Sequence, residues 1–97
     1  MFSPKASTVA EYCEKWLLMQ SAKVSSATMK AYTSDMRNYI IKPLGDMYME
    51  EVTADDIRLA LVPLTNKSEG LYNTVNMLIK CIFYSAERSE LITYNPV

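Results

Sequence analysis

The chain is 97 residues long, 49% of them hydrophobic, with a formal net charge of -1. That length fits a single domain (1–97) with one core, while two glycines and four prolines argue against a turn-rich β fold and against disorder. No apolar run approaches the ~20 residues that span a bilayer, and with no histidine and two distant cysteines, Cys13 and Cys81, a Cys/His zinc site and a Cys/His catalytic pair are excluded.

Four helical segments follow from caps and periodicity. The first is predicted from about Thr8 to Gln20. Thr8 and Glu11 have capping-box spacing, and Val9, Tyr12, Cys13, Trp16 and Leu17 fall within one arc. Trp16 is expected to anchor the core. The second runs from about Ser26 to Ile41, with an apolar stripe of Met29, Tyr32, Met36, Tyr39 and Ile40. Its opposite side carries Lys30, Ser34, Arg37 and Asn38. Pro43 is expected to stop this helix, since it lacks an amide hydrogen and its ring crowds the preceding turn. Gly45 is expected to supply a left-handed turn residue.

The third helix is predicted from about Thr53 to Leu61, capped by Thr53 with Asp56 three positions on and closed by Pro63. Ile57 and Leu61 are its inward pair. A loop from Thr65 to Gly70 precedes the fourth helix. There Leu71, Tyr72, Val75, Leu78, Ile79, Ile82, Phe83 and Ala86 form the wide stripe of a central core helix. Asn73, Met77, Lys80 and Tyr84 lie on its far face, and joint exposure of Met77 and Tyr84 would mark a partner surface. The segment Leu91–Val97 is expected to be extended or turning before Pro96, and its apolar end is expected to be a linker cut short. The opening residues lack the apolar core of a secretory signal. An intracellular, cytoplasmic protein with two reduced, buried or half-buried thiols is expected.

Charge is partitioned along the chain. Ser21 to Pro43 carries +3, through Lys23, Lys30, Arg37 and Lys42 against Asp35; Leu44 to Pro63 carries -4. The second helix therefore has a modest basic face and the third an acidic one. Local Lys and Arg contacts to phosphate are what DNA binding draws on; an ordinary solvated surface is the competing reading. Ser25, Ser26 and Thr28 cluster with Lys23 at the start of the second helix, and Lys67 and Ser68 at the start of the fourth. Hydroxyls, free amides and a lysine at a helix start suit a phosphate, and capping alone accounts for the same residues.

Taken in order, Thr8-Val9-Ala10-Glu11-Tyr12 with Trp16-Leu17, Ser26-Ala27-Thr28 leading to Tyr32, Tyr39-Ile40, Leu44-Gly45-Asp46, Val52-Thr53 with Asp56-Ile57, Asn76, Phe83, Ala86 and Asn95-Pro96 make a pattern. It resembles the N-terminal core-binding domain of tyrosine recombinases, the SAM-like domain of phage integrases, over nearly the whole chain. The resemblance implies an all-α, compact four-helix orthogonal bundle. Such a bundle clamps one side of the core recombination site in double-stranded DNA, for integration or excision, while a catalytic domain downstream in the same chain takes the other. Other recombinase subunits would complete the assembly. Carried over by position, the DNA-facing residues are Lys23, Ser25, Ser26, Thr28, Lys30, Ser34 and Arg37 around the second helix. Lys67, Ser68, Asn73, Asn76 and Lys80 are those of the fourth, with Tyr72 also matching in position but fitting the core.

The family places its tyrosine nucleophile and the basic groups around the phosphate in the downstream domain. Here no residue lies in such a motif, and Tyr12, Tyr32, Tyr39 and Tyr72 sit on apolar stripes. A non-catalytic domain with no cofactor, no metal and no membrane contact is expected. A helical protein–protein interaction domain without DNA contact is the alternative reading, using the Met77/Tyr84 face or the acidic third helix.

Overall fold

A computed structural model describes residues 7–90, 92 and 95–97 of the chain. The expected extended tail is described only in part, since Leu91, Thr93 and Tyr94 lie outside that set. Four principal helices are present, α1 (Val9–Gln20), α2 (Ser26–Met36), α3 (Ala54–Leu61) and α4 (Glu69–Arg88). Short 3-10 turns at Met49–Glu51 and Val62–Leu64 flank α3. No strand is formed among the described residues, only an isolated bridge between Thr8 and Tyr48.

The caps explain where the helices start. The Glu11 amide donates to Thr8 Oγ1 at 3.1 Å while the Thr8 amide donates to Glu11 Oε1 at 2.9 Å. The same reciprocal arrangement joins Thr53 and Asp56, and each such cap is worth ~1 kcal/mol. Ser25 and Ser68 accept from the Thr28 and Leu71 amides. Ser68 thus starts α4 at Glu69, so Glu69 and Gly70 belong to its first turn rather than to the expected loop.

α4 is the centre of the bundle. Val75, Leu78, Ile79, Ile82, Phe83 and Ala86 are all buried, and α1, α2 and α3 each pack on it. α1 contributes Val9, Tyr12, Cys13, Trp16 and Leu17 to the same core. The Tyr12 hydroxyl pairs with Ser85 Oγ at 2.7 Å, tying α1 to α4. The Trp16 and Tyr32 rings meet at a centroid distance of 6.2 Å, a tilted contact between α1 and α2. A radius of gyration of 13.0 Å is that of a packed chain of this length.

The end of α2 departs from expectation. The helical path does not stop before Pro43 but continues through it. Arg37–Ile41 form a π-helical turn, and Lys42–Leu44 close with one further α-helical turn. The Lys42 amide accordingly reaches back five residues to the Arg37 carbonyl. Two causes converge here. A proline ring at position 43 would crowd the carbonyl four residues earlier in a regular helix, and the widened turn lies directly ahead of it. Met36, Ile40 and Leu44 are also all buried, at steps of four residues. On an unbroken α-helix such steps drift roughly 40° each, and an extra residue in the turn brings the three back to one side.

Gly45 is a second correction. Its φ is -58°, in the right-handed region, so no left-handed conformation selects glycine. Space does: a β-carbon there would run into the Ile41 carbonyl oxygen. The close approach seats the chain entering α1. The Val9 amide donates to the Met47 carbonyl at 2.8 Å, Ala10 to Gly45 at 3.2 Å and Met49 to Ser7 at 2.9 Å. The turn after α2 is therefore clipped to the start of α1, a pairing between segments nearly forty positions apart.

Candidate nucleic-acid interface

α2 exposes the polar face that its periodicity dictates. Ser26, Lys30, Ser34 and Arg37 line one shallow recess of about 660 Å³, with Val24 and Met29 as its apolar part. Lys30, Ser34 and Arg37 are exposed, so both cations are free to meet an anion from solvent. Asn38 extends the rim, its side-chain amide donating to Ser34 Oγ at 3.4 Å. A single carboxylate approaches from α1. Glu14 lies 3.7 Å from Arg37, with both side chains more than half exposed. Such a pair is screened and weak, so Arg37 remains available at small cost.

The hydroxyls at the start of α2 divide into two groups. Ser25 accepts from the Thr28 amide and donates to Thr28 Oγ1 at 3.1 Å, so both are engaged in capping. Ser26 faces the recess instead. Lys23 is exposed in the turn between α1 and α2, its amide bonded to the Gln20 carbonyl.

The second group of sequence candidates stands apart. Ser68 is engaged as the α4 cap, and Lys67 is exposed just ahead of it. Asn73 and Lys80 are exposed and Asn76 half-buried along α4. None of these lines the α2 recess; Lys80 instead borders a separate one with Cys81, Tyr84 and Asn95. Tyr72 packs against the core. Met77 and Tyr84 are exposed together, and the Arg88 guanidinium lies over the Tyr84 ring at 5.6 Å. Asn38 and Lys42, read in the sequence as part of the polar face and of the basic charge but not among the DNA-facing candidates, border a further recess against α3.

Little here suits covalent chemistry. Cys13 is buried, and burial, with a lesser contribution from Glu14, pushes its thiol up to about 12. It stays a thiol and a packing group. Among the described residues no cluster of His, Cys, Asp or Glu is placed to hold a metal ion. No described helix is long and apolar enough to cross a membrane.

Fold and surface together define a small all-helical domain that displays one polar, locally basic helix. The chain belongs to the family described as phage integrase, N-terminal SAM-like domain, whose model matches residues 8–61, from the α1 cap to the end of α3. It is also similar to the integrase-like domain from Bacillus cereus solved by solution NMR. That structure is 25% identical, with a TM-score of 0.87, over 98% of this chain and 81% of the other. None of the curated proteins matches the chain.

Proposed function

We propose that the chain is the DNA-contacting core-binding domain of a phage- or mobile-element-type tyrosine recombinase. In that role it grips one side of the core site during integration or excision while a catalytic domain of the same protein acts on the other. The observation that carries this reading is the placement of Lys30, Ser34 and Arg37, exposed along one recess of α2, on a chain of this family. Lys23, Ser25, Ser26 and Thr28 flank them. Lys67, Ser68, Asn73, Asn76 and Lys80 supply a second set of contacts from α4. The chemistry is phosphate neutralisation by lysine and arginine, with hydroxyls and amides fixing register. Cleavage is assigned to the separate domain. With a net charge of -1 and few phosphate contacts from the α2 recess, the isolated domain is expected to bind weakly at physiological salt.

Titration of a cognate duplex against the labelled chain tests the reading. Amide shifts are expected on α2 and α4 at low salt. Lys30→Glu or Arg37→Glu should weaken binding and flatten the dependence of affinity on salt by about one unit of slope per lost phosphate contact. Amides of α2 that stay in place at saturating duplex would overturn the contact assignment. A protein partner, including a neighbouring recombinase subunit, is the second reading, favoured by the exposure of Leu59 and Val62 beside the acidic helix and of Met77 and Tyr84 on α4. Shifts confined to those residues on mixing with such a partner, with no response to duplex, would select it.

A further inference from the structure

We infer that Lys42 is a further phosphate-binding residue, brought into line with Lys30 and Arg37 by the π-helical turn that ends α2. The inference rests on the DNA-binding reading above and adds to it a residue and a geometric cause.

Lys30 and Arg37 are seven positions apart, so on an α-helix they lie within roughly 20° of each other. Lys42 would not join them on a regular helix. Twelve positions after Lys30 it would sit roughly 120° away. The π-helical turn over Arg37–Ile41 changes this. Its amide-to-carbonyl bond from Lys42 to Arg37 closes over five residues instead of four, so one residue is absorbed without advancing the helical phase. Lys42 then takes the place of an eleventh residue after Lys30, roughly 20° from its line. Three cations thus fall on one stripe, spaced along roughly 17 Å of helix.

The surroundings agree. Lys42 is exposed. Asn38 borders both the recess that holds Lys30 and Arg37 and the one that holds Lys42, so the surface is continuous between them. The residues around Lys42 in its recess include Tyr39, Pro43, Leu59 and Pro63 but no carboxylate. Neither described ion pair involves Lys42, whereas Arg37 has Glu14 beside it. Lys42, like Lys30, thus has no carboxylate in its recess and no part in a described ion pair. The extra residue that the core requires to align Met36, Ile40 and Leu44 has the second effect of aligning the charges on the opposite side.

The test is fluorescence anisotropy of a mixed-sequence DNA duplex of about two helical turns, titrated with the chain and its variants between roughly 50 and 200 mM salt. Lys42→Gln should weaken binding about as much as Lys30→Gln, several-fold at low salt, and lower the salt slope by about one unit. Lys42→Arg should retain binding. Arg58→Gln on α3, whose partner is Asp55 at 2.9 Å, serves as the charge-matched control and should not weaken it. Amide spectra of the free variants confirm that the fold is kept, as expected for exposed positions. If Lys30→Gln and Arg37→Gln lose affinity while Lys42→Gln behaves like Arg58→Gln, the inference fails and the DNA-binding reading stands. If the unaltered chain does not respond to the duplex, both fail.

Discussion

α4 runs as one regular helix for 20 residues and buries six of its side chains, whereas α2 buries only Met36 before its backbone widens at Arg37. The two pack against each other, yet they answer to different demands. α4 satisfies the core with an unbroken 3.6-residue repeat, and its outer face is what remains. α2 has a narrower apolar stripe, a polar face that carries Lys30 and runs on to Arg37, and a proline ahead. It meets these together by spending a residue on a π-helical turn. A helix whose core contacts all follow one period has no need of irregularity; a helix whose core contacts step by four residues ahead of a proline gains from it.

The largest effect that separates them is on stability. Phe83 is fully buried at the centre of α4, and Phe83→Ala should cost about 3–5 kcal/mol, a large part of the 5–15 kcal/mol typical of a small domain. Lys30→Gln on the exposed face of α2 should change stability by less than about 0.5 kcal/mol while reducing duplex affinity. Equilibrium urea unfolding of both variants checks this. Comparable losses for the two would mean that α2 is as much a part of the core as α4.

The same contrast decides what was legible in the sequence. The α4 stripe reads directly because one period governs it, and six of its eight apolar members are buried, with Leu71 and Tyr72 half-buried at the solvent end. The caps at Thr8 and Thr53 read equally well, because their partners lie three residues away. The end of α2 did not. The π-helical turn depends on Met36, Ile40 and Leu44 meeting a core formed by other helices, and local propensity carries no record of that. Nor does local sequence announce that Val9 and Met47 pair, or that Glu14 stands beside Arg37. Of the candidate site, the exposed members of α2 were legible from the polar face alone, whereas which hydroxyls were already engaged in caps required coordinates. Gly45 shows the limit well. Sequence marks it as special, but the reason is crowding by Ile41 rather than a left-handed backbone.

That crowding supplies an intermediate effect. Gly45→Ala must push the new β-carbon away from the Ile41 carbonyl, and the backbone there also accepts from the Ala10 amide. A loss of about 1–3 kcal/mol is expected, the range for overpacking a tight site. Hydrogen exchange should localise the damage, with faster exchange at Val9 and Ala10 and little change in the middle of α4. If Gly45→Ala is neutral, the clip between the α2 end and the start of α1 does not constrain the fold, and the irregular end of α2 is softer than its hydrogen bonds suggest.

The smallest effect concerns Asp35, the one acidic residue of α2. It is half-buried and has no part in either described ion pair. Burial raises its carboxyl above the ordinary value of 3.8. A carboxyl whose pKa is higher in the folded chain than in the unfolded one favours folding only while it is protonated. Its contribution is therefore complete below the unfolded pKa and is lost as pH rises through the folded one. Asp35→Asn removes that loss. Relative to the unaltered chain, the variant should gain little where the carboxyl is protonated in both states and most at neutral pH, where it is ionised in the unfolded chain, read as the difference between the two melting-temperature profiles. The core of α4 offers no counterpart, since no charged side chain is buried there. An Asp35→Asn chain less stable than the original at neutral pH would show that the carboxylate has a favourable partner, and that the polar side of α2 is held by charge as well as by the packing of Met36 and Ile40.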